Sequence, residues 1–189
     1  ISGATRKLEK AGAGTLVLDN AGNSYSGGTT ITAGTLRTSV ASALPDNEAV
    51  SVGASGTLDL AGHDQSIGSL TGDGAITLGS GTLSVGDGDF AGHIGGTGQL
   101  SKTSGGTLIL RNSNTYDGGT TIQEGTVSAQ HAQALNQGKV TVASSGTLNI
   151  DGVSLSLTNG LELSGAGAGG GGALTGTGTA AYTGGITLL

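Results

Sequence analysis

The residues with the chemistry of a metal site lie in one short segment. Asp87 and Asp89 are two positions apart, and His93 follows four positions after the second carboxylate. Calcium favours closely spaced oxygen ligands, but calcium-binding nonapeptides repeat Gly-Gly-x-Gly-x-Asp in tandem, and this segment has no tandem copy. No two histidines have the spacing of a zinc site. We therefore predict a solvated loop here, with no metal and no cofactor.

Carboxylates and serines offer no clearer catalytic arrangement. Glycoside hydrolysis needs two carboxylates across a cleft. Asp19, Asp59 and Asp151 lie at differing offsets from a recurring Gly-Thr-Leu motif, so no acidic cluster on neighbouring coils is evident. No Gly-x-Ser-x-Gly elbow precedes a helix, and no histidine stands near a suitable serine. These patterns predict no enzymatic activity within this chain.

Two lysines and two tyrosines recur at matching places. Lys102 follows Lys10 by 92 positions, and Tyr116 follows Tyr25 by 91 positions. The tyrosines could be sugar-stacking platforms, but their recurrence favours rings that cover a loop and close one face of a coil. The lysines could bind an anionic ligand, but we expect them to point outward or to pair with nearby carboxylates.

These residues belong to an internal duplication of residues 8–60 and 100–150. Within it, Gly-Thr-Leu or a close variant recurs at spacings of 20, 22, 25, 25, 19 and 21 residues. Such spacings match one coil of a β-solenoid, with loop insertions varying the length. The motif residues to which we assign a structural role are Lys10, Gly14, Thr15, Leu16, Tyr25, Gly28, Gly34, Lys102, Gly106, Thr107, Leu108, Tyr116, Gly119 and Gly125.

Apolar and polar residues alternate between the glycine-rich turns, which predicts β-strands with one buried face. The predicted inward residues are Leu16, Leu18, Leu36, Leu58, Leu60, Leu108, Leu110 and Leu148. Related rows along the axis are predicted for Leu16, Leu36, Leu58, Leu83 and Leu108. With 40 glycines, three tyrosines and one phenylalanine in 189 residues, the core must be narrow and aliphatic. The glycine-rich stretch 165–172 is predicted to be a flexible loop.

Charge and hydropathy exclude several classes of partner. The net charge of −6 and the pI of about 4.7 leave no basic stripe for nucleic acid. No apolar run is long enough to predict a membrane-spanning helix. The chain has no cysteine, so it would carry no disulfide if it had to be threaded through a membrane pore.

The second copy of the duplication resembles the passenger-associated transport repeat of Gram-negative autotransporters, which use type V secretion. The resemblance rests on residues 90–102, 105–110 and 114–122, and the first copy is similar from Leu8, with Lys10 at the motif lysine. Residues 182–187 resemble the start of a third copy. The resemblance implies an all-β, right-handed, single-stranded parallel β-helix. At roughly 21 residues per coil, residues 1–189 would form a single segment of about nine coils within a longer passenger.

The resemblance also implies export through the outer membrane and display at the cell surface or secretion. The signal peptide and C-terminal membrane barrel of the family are expected outside this chain. We expect a non-catalytic scaffold and secretion-assisting stem of an adhesin or aggregation factor. One alternative is the stalk of a secreted protease or esterase whose catalytic domain lies elsewhere; another is direct ligand binding by outward threonines and asparagines. Expected partners are a protein or glycan on a host or bacterial surface, and weakly, other copies of the chain.

Overall fold

The computed structural model describes residues 1–3, 5–136 and 138–189. Its strands are β1 Ser2–Gly3, β2 Leu8–Lys10, β3 Thr15–Leu18, β4 Ser24–Tyr25, β5 Thr29–Thr38, β6 Ala49–Asp59, β7 Gln65–Gly72, β8 Ala75–Thr77, β9 Thr82–Phe90, β10 His93–Gly96, β11 Gln99–Lys102, β12 Thr107–Leu110, β13 Thr115–Tyr116, β14 Thr120–Ala129, β15 Val140–Asp151, β16 Ser154–Leu163, β17 Leu174–Thr177 and β18 Ala181–Leu188. A 3-10 turn at Ala168–Gly170 is the one helical element among these residues.

The strands pair in parallel and stack into three ladders, which form the sides of a β-helix. The predicted parallel β-helix is therefore confirmed. The ladder named face A consists of residues 8–10, 29–31, 50–52, 69–72, 87–90, 107–110, 126–129, 147–150 and 174–177. Its nine strands make eight turns from first to last.

Each of the other two ladders is interrupted for one coil. Face B consists of residues 15–18, 35–38, 57–59, 75–77, 93–96, 115–116, 154–157 and 181–184. Face C consists of residues 2–3, 24–25, 65–67, 82–85, 99–102, 120–122, 140–142, 161–163 and 186–188. Turns at residues 40–44 on face C and 131–136 on face B replace the missing strands.

The core is a column of aliphatic side chains inside the three faces. Seven of the eight leucines predicted to face inward are buried, and Leu16 is the exception at 38% exposed. Leu16 does lie in register with buried Leu36. It is exposed because no described coil stacks on its other side, so the prediction was wrong about its burial and right about its row.

The predicted rows were wrong beyond the first three leucines. Leu16, Leu36 and Leu58 lie in one row on face B. Leu83 instead lies on face C, and Leu108 lies on face A. The cause is the spacing of 25 residues between successive Gly-Thr-Leu motifs. This spacing does not correspond to one coil lengthened by a loop. Leu58 is in register with Ile76, so this coil is shorter than the spacing, and the Gly-Thr-Leu motif moves to the next face.

The two copies of the duplication therefore occupy different faces. In the first copy, the lysine strand β2 lies on face A, the strand β3 on face B and the tyrosine strand β4 on face C. In the second copy, the lysine strand β11 lies on face C, β12 on face A and the tyrosine strand β13 on face B. The duplication spans four complete turns plus two further faces, which turns the whole motif about the axis.

The glycine-rich stretch 165–172 is a loop that closes on itself and on face A. The Gly172 amide donates to the Ala166 carbonyl at 2.7 Å. The Thr147 hydroxyl donates to the Gly172 carbonyl at 2.8 Å and accepts from the Ala168 amide at 2.9 Å. The mobility of this loop remains a prediction.

Candidate functional site

The motif lysines lie inside the β-helix and bind backbone carbonyls. Lys10 shares the inward side of its strand with Leu8 and is 5% exposed. Its ammonium donates to the carbonyls of Ala11 at 3.0 Å, Gly12 at 2.6 Å and Ala33 at 2.9 Å. Because Ala33 belongs to the following coil, this one charge joins two coils at the turn between faces A and B.

Lys102 makes the equivalent contacts in the second copy. It is fully buried and donates to the carbonyls of Ser104 and Glu124, the latter at 3.2 Å and in the following coil. Burial lowers the pKa of Lys102, while the carboxylates of Asp87 and Glu124 raise it by a smaller amount. The expectation that the motif lysines point outward or pair with carboxylates was wrong, because carbonyl oxygens at the turn satisfy the ammonium instead.

A glycine at the turn beside each lysine leaves room for the ammonium or for the carbonyls around it. Gly34 has a φ of +70°, and a Cβ built there would lie 2.7 Å from the Lys10 ammonium and 2.5 Å from the Gly14 carbonyl. Gly125 has a φ of +72°, and its Cβ would meet the carbonyl of Gly106. Both positions thus require glycine for conformation and for space.

The motif tyrosines are buried, and each hydroxyl has one partner within its own motif. Tyr25 is 1% exposed and its hydroxyl is 2.7 Å from that of Thr29. Tyr116 is fully buried and its hydroxyl is 2.7 Å from that of Thr120. Burial raises the pKa of Tyr116, and the hydrogen bond to Thr120 opposes this to a smaller extent. Neither ring has a free face on which a sugar could stack.

An asparagine before each tyrosine bridges the coil in which a ladder is interrupted. Asn114 accepts from the Ile94 amide at 2.7 Å and donates to the Ala134 carbonyl at 2.6 Å. Asn23 likewise donates to the Ala43 carbonyl at 2.8 Å. These amides replace peptide groups that a continuous ladder would supply. Sequence reasoning missed this role, although Asn-Ser-Tyr and Asn-Thr-Tyr recur in the two copies.

The other motif residues lie at turns. Gly14, Thr15 and Thr107 are exposed and Gly106 is half-buried, at the starts of strands β3 and β12. A Cβ at Gly28 would lie 2.8 Å from the Ala49 carbonyl of the next coil, and one at Gly119 would meet the Lys139 carbonyl. These glycines let successive coils approach closely.

The segment considered for metal binding is a strand, so the predicted loop was wrong. Asp87 and Asp89 lie in β9 on face A, where period-2 alternation points both outward. Asp89 pairs with Arg111 at 2.5 Å. His93 lies in β10 on face B, with its ring nitrogens 2.9 Å from the Ser113 carbonyl and 3.0 Å from the Thr115 hydroxyl.

The outward side chains at the end of face A form a continuous polar ladder over five coils. Arg111 contacts Asp89 and Gln130, the latter at 2.5 Å. Gln130 donates to Asp151 at 2.6 Å, and Thr177 donates to the same carboxylate at 2.6 Å. The hydrogen bond from Arg111 lowers the pKa of Asp89, and those from Thr177 and Gln130 lower the pKa of Asp151.

The structure does not bring the candidate catalytic carboxylates together. Asp59 pairs with Arg37 at 3.0 Å on face B, Asp151 belongs to the polar ladder, and Asp19 lines a shallow cavity of about 300 Å³ at the Ile1 end of the β-helix. A second cavity of about 420 Å³ lies at the opposite end. The described residues contain no group of three or more metal-binding side chains and no helix with the length and hydropathy of a membrane span.

Comparisons with known proteins identify the motif. The passenger-associated-transport-repeat family matches residues 8–37 and 100–129. These two segments contain the buried lysines and the buried tyrosines. The chain is an autotransporter passenger segment with passenger-associated transport repeats. The two family matches thus begin in lysine strands on face A and face C, so the repeat does not keep one face of the β-helix in this chain.

The chain matches short parts of two much longer relatives. The chain is 39% identical over 200 residues to the adhesin BmaC autotransporter of Brucella suis biovar 1 (strain 1330), covering 90% of this chain and 6% of that protein. It is 32% identical over 155 residues to the uncharacterized lipoprotein YdeK of Escherichia coli (strain K12), covering 76% of this chain and 11% of that protein. No solved structure matches the chain.

Proposed function

We propose that this chain is a non-catalytic scaffold and stem segment of an adhesin-like passenger. The observation that carries the proposal is that the recurring polar groups form their hydrogen bonds within the β-helix. The lysines, asparagines and tyrosines of both motifs are buried and bonded within the chain. Residues that recur for such contacts support the architecture rather than a reaction.

The same contacts support a role during export. Each motif joins a coil to its neighbours, and a solenoid can therefore form coil by coil as the chain emerges. The chain has no cysteine, so no disulfide has to be reduced before passage. In this proposal the segment crosses the outer membrane unfolded, folds outside, and holds the parent protein at the cell surface, where a ligand or another copy of the chain is bound.

Surface display of the chain tests this proposal. The chain is placed between an export signal and an outer-membrane translocator, with an epitope at its amino end, and surface epitope is measured against total synthesis. Lys102→Met removes a motif contact, and Lys139→Met removes a lysine that is 53% exposed in the side chain. We expect the first variant to lower display several-fold and the second to leave it unchanged. Equal display of the two variants would overturn the secretion-assisting role.

A further inference from the structure

We propose that face C carries a binding row for an uncharged polysaccharide, which gives the adhesin-like role proposed above a ligand class and rests on that role. The row, named here the hydroxyl row, consists of the outward side chains of Ser66, Ser84, Ser101, Thr121 and Thr141. Each is in register with the next along five consecutive coils. Parallel strands are about 4.8 Å apart, so the five hydroxyls extend over about 19 Å.

One member of the row has an unsatisfied hydroxyl. Ser101 is 4% exposed, and its Oγ is the one buried side-chain polar atom of the described residues that has no hydrogen-bond partner. Its neighbours Leu100 and Lys102 point into the core, so the Ser101 side chain belongs to the outer surface of the strand. A buried polar group without a partner is unfavourable, and a ligand hydroxyl that reached it would remove that cost.

A glutamine beside Ser101 already contacts the row. Gln99 lies two residues before Ser101 on the same side of the strand, and its amide donates to the Thr121 hydroxyl in the next coil at 3.3 Å. This long hydrogen bond is weak. A ligand that bonds to Thr121 would therefore compete with the Gln99 amide for that hydroxyl.

The polar ladder at the end of face A contrasts with the hydroxyl row. Its outward groups Asp89, Arg111 and Gln130 are bonded to one another or to neighbouring coils. In the hydroxyl row, the described contacts leave Ser66 and Thr141 without side-chain hydrogen bonds. The donors and acceptors of this polar ladder are therefore engaged within the protein, whereas the hydroxyls of Ser66 and Thr141 are available to a partner.

The chemistry of the row selects an uncharged, hydroxyl-rich partner. The row carries no charge, and Glu162, which follows Thr141 in register, is paired with Lys139 at 2.7 Å. The exposed large apolar residues of the described chain lie at its two ends, so the row lacks the apolar centre of a protein–protein interface. The net charge of −6 repels anionic polymers. An extended neutral polysaccharide presents repeated hydroxyl groups and needs neither charge nor apolar area.

Affinity electrophoresis of the full chain tests the proposal, using gels that contain mannan, dextran, laminarin or galactomannan, with heparin as the anionic comparison. We expect at least one neutral polysaccharide to retard the wild-type chain and heparin not to. The double variant Ser101→Ala, Thr121→Val should weaken the retardation at least tenfold, and Gln99→Ala should strengthen it. Ser51→Ala, which removes an outward hydroxyl from face A, is the matched control and should behave like wild type.

Folding and surface display separate this proposal from the preceding one. Removal of an unsatisfied hydroxyl leaves stability unchanged or higher, so Ser101→Ala should melt no lower than wild type and should be displayed normally. The ligand proposal is overturned if none of the four neutral polysaccharides retards the chain, if heparin alone does, or if the double variant is retarded like wild type. If the double variant instead changes only the sedimentation of the chain, the row is a contact between copies and the polysaccharide proposal is wrong.

Discussion

Lys102 holds a positive charge inside the β-helix through backbone carbonyls. Methionine at this position keeps the side-chain volume but removes the hydrogen bonds to Ser104 and Glu124. Hydrogen bonds from a charged group contribute about 1.5–3 kcal/mol each, and relief of the desolvation of a buried charge offsets part of the loss. We expect Lys102→Met to lower the free energy of unfolding by about 2 kcal/mol in urea titrations.

Lys139 provides the control for this change. Its side chain is 53% exposed and pairs with Glu162 at the surface. Exposed ion pairs contribute little, so Lys139→Met should change the free energy of unfolding by less than about 1 kcal/mol. A similar loss of unfolding free energy in both variants would mean that the hydrogen bonds from Lys102 to backbone carbonyls stabilise the fold no more than a surface ion pair does.

The burial of the lysines was predictable from the sequence in part. Leu100 and Lys102 have the same parity in their strand, as do Leu8 and Lys10, so alternation places each lysine on the side of a core leucine. The general preference of lysine for solvent outweighed this signal. The carbonyls that bind the ammonium were not predictable, because they belong to a turn and to the next coil.

Tyr116 makes stability depend on pH in the alkaline range. Because burial raises its pKa, the folded state keeps the phenol neutral at a pH where the unfolded chain ionises, at about 10. The stabilisation is fully present below that pH and is lost as the pH rises toward the folded-state pKa. In urea titrations, the free energy of unfolding of the wild type should be lower at about pH 11 than at about pH 8. The decrease should be smaller for Tyr116→Phe. Tyr182→Phe, which changes a less buried ring, should retain most of the wild-type fall.

At the scale of the strand, the asparagine bridge carries a coil across the gap in face B. Asn114→Ala leaves the Ile94 amide and the Ala134 carbonyl without partners. Each unsatisfied buried group costs about 1–3 kcal/mol, so we expect a loss of about 3 kcal/mol in unfolding free energy, measured by urea titration. Asn112→Ala, at an exposed position of the same turn, should cost less than about 0.5 kcal/mol. Comparable losses would show that the turn needs no bridge.

The strands were predictable from the sequence, but their assignment to faces was not. Alternation with a period of two is the same on every side of a β-helix. It therefore predicts which residues point inward but not which face each strand occupies. The spacing of 25 residues between Gly56 and Gly81 was interpreted as an insertion. Leu58 and Ile76 show that this coil is short, and such a length is set by how tightly glycines allow the chain to turn.

At the scale of the whole molecule, the two ends expose the column that the coils otherwise cover. Leu16 and Val17 are 38% and 48% exposed at one end, and Ile186 and Leu188 are 47% and 78% exposed at the other. Open strand edges and uncovered apolar rows favour contact with another copy. We expect weak, concentration-dependent association, stronger at high salt because the net charge of −6 is then screened.

Analytical ultracentrifugation at low and high salt measures this association. Leu188→Asp should weaken it, since the substitution places a charge on the exposed end, and Lys139→Met on a side of the β-helix should not. A single monomeric species at high micromolar concentration in both buffers would contradict the prediction. It would show that the exposed ends do not mediate self-association.

The rotation of the second motif by two faces also fixes how large molecules can approach the segment. The turn at 40–44 stands on face C and the turn at 131–136 on face B, because each follows the tyrosine strand of its own motif. Antibodies raised against the two turns would therefore approach the β-helix from different directions. A stiff bivalent reagent whose two binding sites point in the same direction could not bind both turns of one molecule, and it would link neighbouring molecules into a network instead.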